Sequence, residues 1–389
     1  MGLTEGRGAK TVWQNPADII RTTAPENPIM AFSPLALEET AKRFLTGFPG
    51  LVTYAVKSNP DEAIIRTLFK AGVKGFDVAS PAEIDLVGHL APGAARHYHN
   101  PVRSRAEIDH AADAGIKAWS VDSHSEVAKI FDRVDPTNVE ISPRFKLPVV
   151  GAIYDFGSKF GASPELAAEL LRAVADRGYI PSLTFHPGTQ CTDPAAWETY
   201  IQTAREIADM AGIMPKRLNV GGGFPSHRVE GVEPDLAAIF ELIGRVTAEV
   251  FGDDAPALVC EPGRGLCADA FSLITKVKGV RDGANIFLND GVYGGLSELP
   301  IVGNLDRIEV LDAEGNRRTG EPTSRTIFGP TCDSVDRLPG ELAVPADIEE
   351  GDYVIFHGAG AYSAATNTRF NGFGQMGHMT VLSLDGDPA

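Results

Sequence analysis

Eight strand-like apolar runs alternate with helical stretches between residues 51 and 260. Several of the helical stretches, such as 81–90 and 163–176, open with Ser at a capping position or with Pro in the first turn. Eight strand–helix units over about 215 residues favour a (β/α)8 TIM barrel, which typically takes about 250 residues. An open doubly wound sheet is the alternative. The predicted strands lie near 51–56, 75–78, 96–99, 118–121, 138–145, 180–186, 217–220 and 257–260.

Beyond residue 270 the pattern changes to short strands separated by Gly, Asp and Asn, which is typical of an antiparallel sheet. An early strand near 29–32 precedes the first barrel helix and could join that sheet. The sequence therefore predicts an α/β protein with a barrel and a C-terminal antiparallel β-domain. The predicted boundaries are 1–34 for an N-terminal segment that contributes to the β-domain, 35–270 for the barrel and 271–389 for the β-domain.

The composition excludes several classes of function. The 35 Lys and Arg residues against 52 Asp and Glu residues give a formal charge of −17, which argues against a nucleic-acid partner. No apolar run approaches the roughly 18 residues of a membrane helix, and no phosphate-loop motif occurs. The four cysteines lack metal-ligand spacing and the first residues are polar, so we expect no metal site and a cytoplasmic location.

Unusual residues fall where the predicted barrel strands end. Catalytic groups of such barrels come from the carboxyl ends of the strands and the loops that follow, and a phosphate site commonly forms after strands seven and eight. Strand seven runs into the triple glycine 221–223, and strand eight runs into Glu261 and Arg264. The other residues at strand ends are Lys57, Asp77, Arg144 and His186.

These residue types together predict pyridoxal phosphate. A lysine in a closed pocket has a lowered pKa, so Lys57 could form a Schiff base with an aldehyde, although a surface lysine is the simpler interpretation of the 51–60 stretch alone. The triple glycine and Arg264 could hold a phosphate, and His186 could lie flat on a ring. Glu261 could keep a pyridine nitrogen protonated, which makes the ring an electron sink.

The chain resembles the fold type III pyridoxal-phosphate decarboxylases, which include ornithine, lysine and diaminopimelate decarboxylases and, more remotely, alanine racemase. The resemblance covers almost the whole chain and rests on nine motifs in family order. They are Y-A-V-K-S-N-P at 54–60, F-D-V-A-S-P-A-E-I at 76–84, K-F-G at 159–161, F-H-P-G-T-Q at 185–190, G-G-G-F-P at 221–225, E-P-G-R-G at 261–265, G-P-T-C-D-S at 329–334, G-A-Y at 360–362 and F-N-G-F at 370–373.

The resemblance implies a role for each matching residue. It implies that Lys57 carries the cofactor, that His186 stacks on the ring and that Glu261 pairs with the ring nitrogen. It also implies a homodimer whose active sites lie at the subunit interface, with Cys332 and Asp333 supplied by the second subunit and Cys332 as the proton donor to the product. The other cofactor residues are expected to be Asp77, Glu83, Arg144, Thr189, Gly222, Gly223, Arg264 and Tyr362.

The segment expected to bind the substrate departs from the family pattern. The segment 290–300 contains Tyr293, expected near the substrate, but lacks the Tyr-Asp pair with which ornithine-type enzymes receive the distal ammonium. Glu298 or Asp306 could substitute for that pair. Pro187 also stands where the family usually has a small apolar residue after the histidine.

The resemblance implies decarboxylation of a small basic L-amino acid, ornithine or lysine, to a diamine. Glu261 argues for decarboxylation, because the racemase branch places an arginine at the ring nitrogen. The alternatives are decarboxylation of diaminopimelate, carboxynorspermidine or a specialised intermediate, and a non-catalytic homologue that binds the cofactor.

Overall fold

The computed structural model describes residues 11–147, 159–303 and 305–385. The chain divides into two compact units. The barrel unit holds Glu38–His227 and Val232–Cys267, and the β unit holds Met1–Leu37, Arg228–Gly231 and Ala268–Ala389. Among the helices in the described part of the chain, none combines the length and the apolar run that a membrane crossing requires.

The strands in chain order are β1 (Val12–Trp13), β2 (Ile29–Phe32), β3 (Gly50–Ala55), β4 (Gly75–Val78), β5 (Ala95–Tyr98), β6 (Ala118–Val121), β7 (Glu140–Pro143), β8 (Ile180–Pro181), β9 (Leu183–Thr184), β10 (Arg217–Asn219), β11 (Ala257–Cys260), β12 (Phe271–Arg281), β13 (Asn285–Leu288), β14 (Ile308–Leu311), β15 (Pro322–Phe328), β16 (Leu342–Pro345), β17 (Tyr353–His357) and β18 (Gly377–Val381). The helices are α1 (Pro16–Thr23), α2 (Pro34–Gly47), α3 (Glu62–Lys70), α4 (Pro81–Leu90), α5 (Arg105–Asp113), α6 (His124–Phe131), α7 (Pro164–Asp176), α8 (Ala195–Ala211), α9 (Leu236–Phe251), α10 (Arg264–Cys267) and α11 (Leu299–Val302).

The barrel unit contains one parallel sheet, in the order β8-β7-β6-β5-β4-β3-β11-β10-β9. Strands β8 and β9 are two halves of one barrel strand, interrupted at Ser182, because a bridge joins Arg144 beside β7 to Thr184 of β9. At the interruption the Ser182 hydroxyl accepts a hydrogen bond from the backbone N–H of Arg217 at 3.1 Å. The predicted (β/α)8 barrel is confirmed, and the predicted strands 75–78, 118–121 and 257–260 match β4, β6 and β11 residue for residue.

Helix capping fixes where each barrel helix begins. The side chains of Ser80, Ser104, Ser163 and Asp235 accept hydrogen bonds from backbone N–H groups in the first turns of α4, α5, α7 and α9. Strands β4, β6 and β7 are buried along their whole length, as is usual for a parallel sheet covered by helices. This alternation leaves the carboxyl ends of the strands to carry the polar loops.

The β unit is built around β12, which pairs antiparallel with β2, β13 and β17. Its sheet is mixed, because β18 pairs parallel with both β1 and β2, and β13 pairs parallel with β15. The predicted C-terminal β-domain is confirmed, and its sheet is mixed where antiparallel pairing was expected, since strand periodicity does not encode the direction of a partner that is distant in sequence. Part of the core of this unit is a cluster that includes Ile19, Ile20, Ile274, Ile355 and Val381.

Candidate active site

Lys57 lies directly after the first barrel strand. Strand β3 ends at Ala55, and the chain makes one 3-10 turn, Val56–Ser58, that exposes the lysine while its neighbours are buried. The Tyr54 hydroxyl donates to the Asn59 carbonyl at 2.9 Å, and the Ser58 hydroxyl donates to the Ala55 carbonyl at 2.8 Å. These bonds close the turn, so the backbone that carries Lys57 is rigid.

A cavity of about 180 Å³ lies among the carboxyl ends of the barrel strands. Its lining combines cations, acids and aromatic rings. It brings together five predicted site residues, which are Lys57, Asp77, Arg144, His186 and Glu261. The other lining residues are Ala79, His99, Asn100, Pro101, Lys159, Phe160, Thr184 and Phe185.

Glu261 is the centre of a buried hydrogen-bond network. Its Oε1 atom contacts Nδ1 of His99 and accepts a bond from Nδ2 of Asn219. Asn219 Nδ2 and His99 Nδ1 are 3.0 Å apart, and Oδ1 of Asn219 accepts from the Gly221 N–H at 2.9 Å. Both contacts of the carboxylate end on the same oxygen atom. Glu261 is thereby held in one orientation at the edge of the cavity.

The charges of this network are set by burial and by neighbouring groups. Burial by itself would raise the pKa of Glu261, but His99, Lys57 and Asn219 lower it to about 2. Burial by itself would lower the pKa of His99, but Glu261 and then Asp77 raise it above its ordinary value. Burial and the nearby Glu261 charge raise the pKa of Asp77 to about 8. At neutral pH we therefore assign an ionised Glu261, a protonated His99 and a neutral Asp77.

His186 is held as a neutral ring. Burial, together with the Arg144 and Lys57 cations, lowers the pKa of His186 to about 3. The backbone N–H of Gly188 donates to its Nδ1 atom at 3.2 Å, which fixes the ring orientation and places any ring proton on Nε2. A neutral imidazole fixed in this way can pack flat against a planar ligand.

The triple glycine is required because its loop packs closely against two neighbouring loops. A Cβ on Gly221, whose φ is +69°, would lie 2.2 Å from the Phe185 carbonyl oxygen, and one on Gly223, whose φ is +85°, would lie 2.7 Å from that of Gly188. A Cβ on Gly222 would lie 2.8 Å from the Glu261 carbonyl oxygen. The three glycines therefore let the loops after β9, β10 and β11 meet.

Glu83, Arg144, Thr189 and Arg264 lie in the same unit. The Glu83 carboxylate accepts from the N–H of the cavity residue Ala79 at 2.7 Å, and burial raises its pKa. Burial lowers the pKa of the Arg144 guanidinium, whose Cζ lies 5.5 Å from the centre of the Phe160 ring. Thr189 is partly buried on the loop after His186, and Arg264 is buried at the start of α10. Their contacts with a phosphate stay a prediction.

The remaining predicted residues lie in the β unit. The backbone N–H and Sγ of Cys332 both donate to Oδ1 of Asn371, at 3.2 and 3.3 Å. The Tyr293 hydroxyl donates to Oδ2 of Asp333 at 2.7 Å, and bonds from the Val335 N–H and Tyr293 lower the pKa of that acid. Cys332, Asp333 and Tyr293 thus form one surface group, and their action on a substrate stays a prediction.

Tyr362 has a left-handed backbone, with φ of 57°, and its carbonyl accepts from the Ser297 hydroxyl at 3.5 Å. Its phosphate role stays a prediction.

Glu298 already has a cationic partner. Its Oε1 atom lies 3.2 Å from Nη1 of Arg228, and both side chains are buried. Nη2 of Arg228 also donates to the Gly303 carbonyl at 2.6 Å. The other acid suggested for the distal ammonium, Asp306, accepts from the Glu230 N–H at 2.8 Å. Both carboxylates therefore already bind groups of the protein itself.

Comparison with known proteins identifies the family. The model described as "Pyridoxal-dependent decarboxylase, pyridoxal binding domain" matches residues 36–268, more than half of the chain. The chain belongs to this family. It is 33% identical over 330 residues to a lysine/ornithine decarboxylase of Selenomonas ruminantium, covering 83% of this chain and 81% of that protein.

Two solved structures support this assignment. The arginine decarboxylase of Paramecium bursaria Chlorella virus has a TM-score of 0.82 at 27% identity, covering 93% of this chain and 98% of that one. The lysine/ornithine decarboxylase of Vibrio vulnificus, complexed with cadaverine, has a TM-score of 0.81 at 26% identity, covering 95% and 100%. This chain is therefore an enzyme, a decarboxylase that uses pyridoxal 5'-phosphate.

The decarboxylase cavity fits its cofactor. Oδ1 of Asp77 and Nε2 of His99 are buried without a hydrogen-bond partner in the described structure, so the pocket offers unsatisfied polar atoms to a polar ligand. Lys57 and Glu261 would hold the cofactor at two sides of this pocket.

Two members of the network were not anticipated from the sequence. His99 and Asn219 are the partners of Glu261, and neither was among the predicted site residues. His99 directly follows β5, so the rule that placed Lys57 and Asp77 at the site also applies to it. Asn219 is the last residue of β10, one position before the Val220 that precedes the triple glycine.

Proposed function

We propose that this decarboxylase acts on ornithine or lysine and releases the corresponding diamine. The observation that carries the reaction class is the ionised Glu261 in the same cavity as Lys57. The substrate class is supported by the names of the relatives, since both the Selenomonas and the Vibrio proteins are lysine/ornithine decarboxylases.

Each cavity residue has a task in this reaction. When bound, pyridoxal phosphate supplies an electron sink for the electrons left by the departing carboxylate. Lys57 would hold the cofactor through its amine, and Glu261 would keep the ring nitrogen protonated. The neutral His186 would cover one ring face without adding charge. Cys332 would deliver the proton to the α-carbon after CO2 leaves.

A second candidate follows from the Arg228–Glu298 ion pair. A carboxylate that is buried against a guanidinium already has its counter-charge, and removing that partnership to bind an ammonium is costly. The distal group of the substrate could therefore differ from that of ornithine. The candidates are diaminopimelate, carboxynorspermidine or a specialised intermediate, and arginine is suggested by the viral arginine decarboxylase.

We also propose a cytoplasmic homodimer. The four cysteines are free thiols, which agrees with a reducing compartment. Cys332 is exposed, and nearby Val335 is 68% exposed, so this surface of the β unit is available to a second subunit. Mixing Lys57→Ala with Cys332→Ala protein should restore part of the activity if one subunit supplies Cys332 to the other. No recovery from a mixed dimer would contradict the shared site.

The deciding experiment is CO2 release from ornithine, lysine, arginine and diaminopimelate by the loaded enzyme. Turnover of ornithine or lysine with the highest kcat/KM supports the leading proposal. A higher value for arginine or diaminopimelate replaces it, and no turnover of the four favours a specialised intermediate. Lys57→Ala is the control, because it keeps the fold and removes the amine that holds the cofactor.

A further inference from the structure

His99 is buried at the carboxyl end of β5, between two acids. Its Nδ1 atom contacts Oε1 of Glu261 and lies 3.9 Å from Oδ1 of Asp77. The carbonyl of His99 accepts from the Ser120 hydroxyl at 2.8 Å, which fixes its backbone. A histidine fixed in this place can influence both the ionisation and the orientation of Glu261.

A buried carboxylate stays ionised only when a cation or several donors stabilise its charge. Asn219 supplies one neutral donor to Glu261, and Lys57 supplies a further positive charge. His99 supplies both a donor and the leading favourable charge. Without His99, burial would dominate, and we expect Glu261 to take up a proton.

We propose that His99 is a positioning residue that keeps Glu261 ionised and oriented toward the ring nitrogen of pyridoxal phosphate. This inference rests on the proposed role of Glu261. The contact uses Oε1, so the second carboxylate oxygen, Oε2, is not occupied by His99 or Asn219. His99 therefore fixes the carboxylate without taking the atom that would meet the cofactor.

The surroundings of His99 favour its charged form. Glu261, Asp77 and Glu140 all raise its pKa, and they lie on or directly after three different strands. The charged and titratable groups around His99 and its partner Glu261 include Asp77 on β4, His97 on β5, Glu140 on β7, Arg144 after β7, Lys57 after β3, His186 after β9 and Cys260 on β11.

His97 provides a matched control on the same strand. Its ring centre lies 5.3 Å from that of His99, and it is equally buried. Burial and the neighbouring His99 charge lower the pKa of His97 to about 3, so it is neutral where His99 is charged. The hydrogen bonds of Glu261 go to His99 and Asn219. Replacing His97 removes an imidazole from the same core but leaves the positive charge of His99 in place.

The test is the affinity of apoprotein for pyridoxal phosphate, measured by titration across a range of pH. In His99→Leu, Glu261 carries one more proton before binding and must release it to pair with the protonated ring. The ratio of the Kd of His99→Leu to that of wild type should therefore fall about tenfold per pH unit as pH rises, because cofactor binding releases about one more proton from the variant than from wild type. At neutral pH the variant should bind about 10- to 100-fold more weakly, since it lost a charge-assisted hydrogen bond.

The ratio of the Kd of His97→Leu to that of wild type should not change with pH, because Glu261 gains no proton in that variant. A flat ratio for His99→Leu would overturn the proposal, since Glu261 would then be ionised without His99. Wild-type protein that does not bind pyridoxal phosphate at all would instead contradict the proposed function.

His99→Gln separates charge from orientation. It keeps an N–H donor without the positive charge, so it should recover part of the affinity but keep the altered pH dependence. Should neither variant fold, imidazole ¹⁵N NMR of the wild-type apoprotein decides, with the His99 signal identified by its shift in Glu261→Gln. A doubly protonated His99 ring at neutral pH supports the proposal, and a neutral ring overturns it.

Discussion

Gly222 tests whether close packing between the strand-end loops builds the cofactor site. A Cβ at this position would lie 2.8 Å from the Glu261 carbonyl oxygen and 3.1 Å from Nε2 of His186. Real Cβ atoms essentially never lie under 3.0 Å from a backbone atom, so either the Glu261 backbone or the glycine loop must shift. The φ of Gly222 is outside the left-handed region, so the backbone itself accepts alanine. Gly222→Ala therefore tests steric crowding without adding backbone strain.

Overpacking of this kind typically costs about 1–3 kcal/mol, which corresponds to a factor of about 5 to 150 in an equilibrium constant. We expect Gly222→Ala to lower the free energy of unfolding of the apoprotein by this amount. We also expect affinity for pyridoxal phosphate to fall at least about tenfold, because displacements near 1 Å at an active site are costly. Urea denaturation and an absorbance titration with the cofactor measure the two effects.

Gly279→Ala is the matched control. Gly279 lies in β12, has an ordinary φ and would place its Cβ with nothing within 4 Å. The change in its unfolding free energy should stay within about 0.5 kcal/mol, and its cofactor affinity should match wild type. If Gly222→Ala behaves like Gly279→Ala in both assays, the loops do not pack as closely as described, and the reasoning is refuted.

Three further predictions concern single side chains. Lys57→Ala should lose both CO2 release and the visible absorbance band of bound cofactor, and a retained band would show that another amine holds it. Cys332→Ala should lower kcat by about 10²- to 10⁴-fold, the usual range for a lost proton donor, with unchanged cofactor affinity, whereas unchanged kcat would exclude the thiol as that donor. Asp77→Asn should become more stable relative to wild type as pH rises. The unfolded Asp77 ionises near 3.8 and the folded one near 8, so the wild-type apoprotein loses up to about 1.4 kcal/mol per pH unit within that window. A difference in melting temperature between the two apoproteins that stays constant from pH 4 to 8 would contradict this pKa.

Much of the barrel could be predicted because it depends on local patterns. Short apolar runs, such as Leu258–Cys260, are buried in a parallel sheet covered by helices, and Ser or Asp caps mark the helices between them. The rule that chemistry gathers at strand ends then placed Lys57, Asp77 and Glu261 in one cavity. Pairing in the β unit could not be predicted in the same way, because β18 and β2 are brought together by the tertiary fold and not by a short turn.

The sequence by itself determined the barrel, the positions of its strands and the residue types at their ends, because these follow from periodicity and capping. It did not determine the charges at those ends. Whether Glu261 is ionised, Asp77 neutral and His186 uncharged depends on burial and on side chains from distant strands. The same holds for the pairing of Glu298 with Arg228, which are 70 residues apart. Only the tertiary structure sets these distances, and electrostatic energies depend on distance and on the exclusion of water.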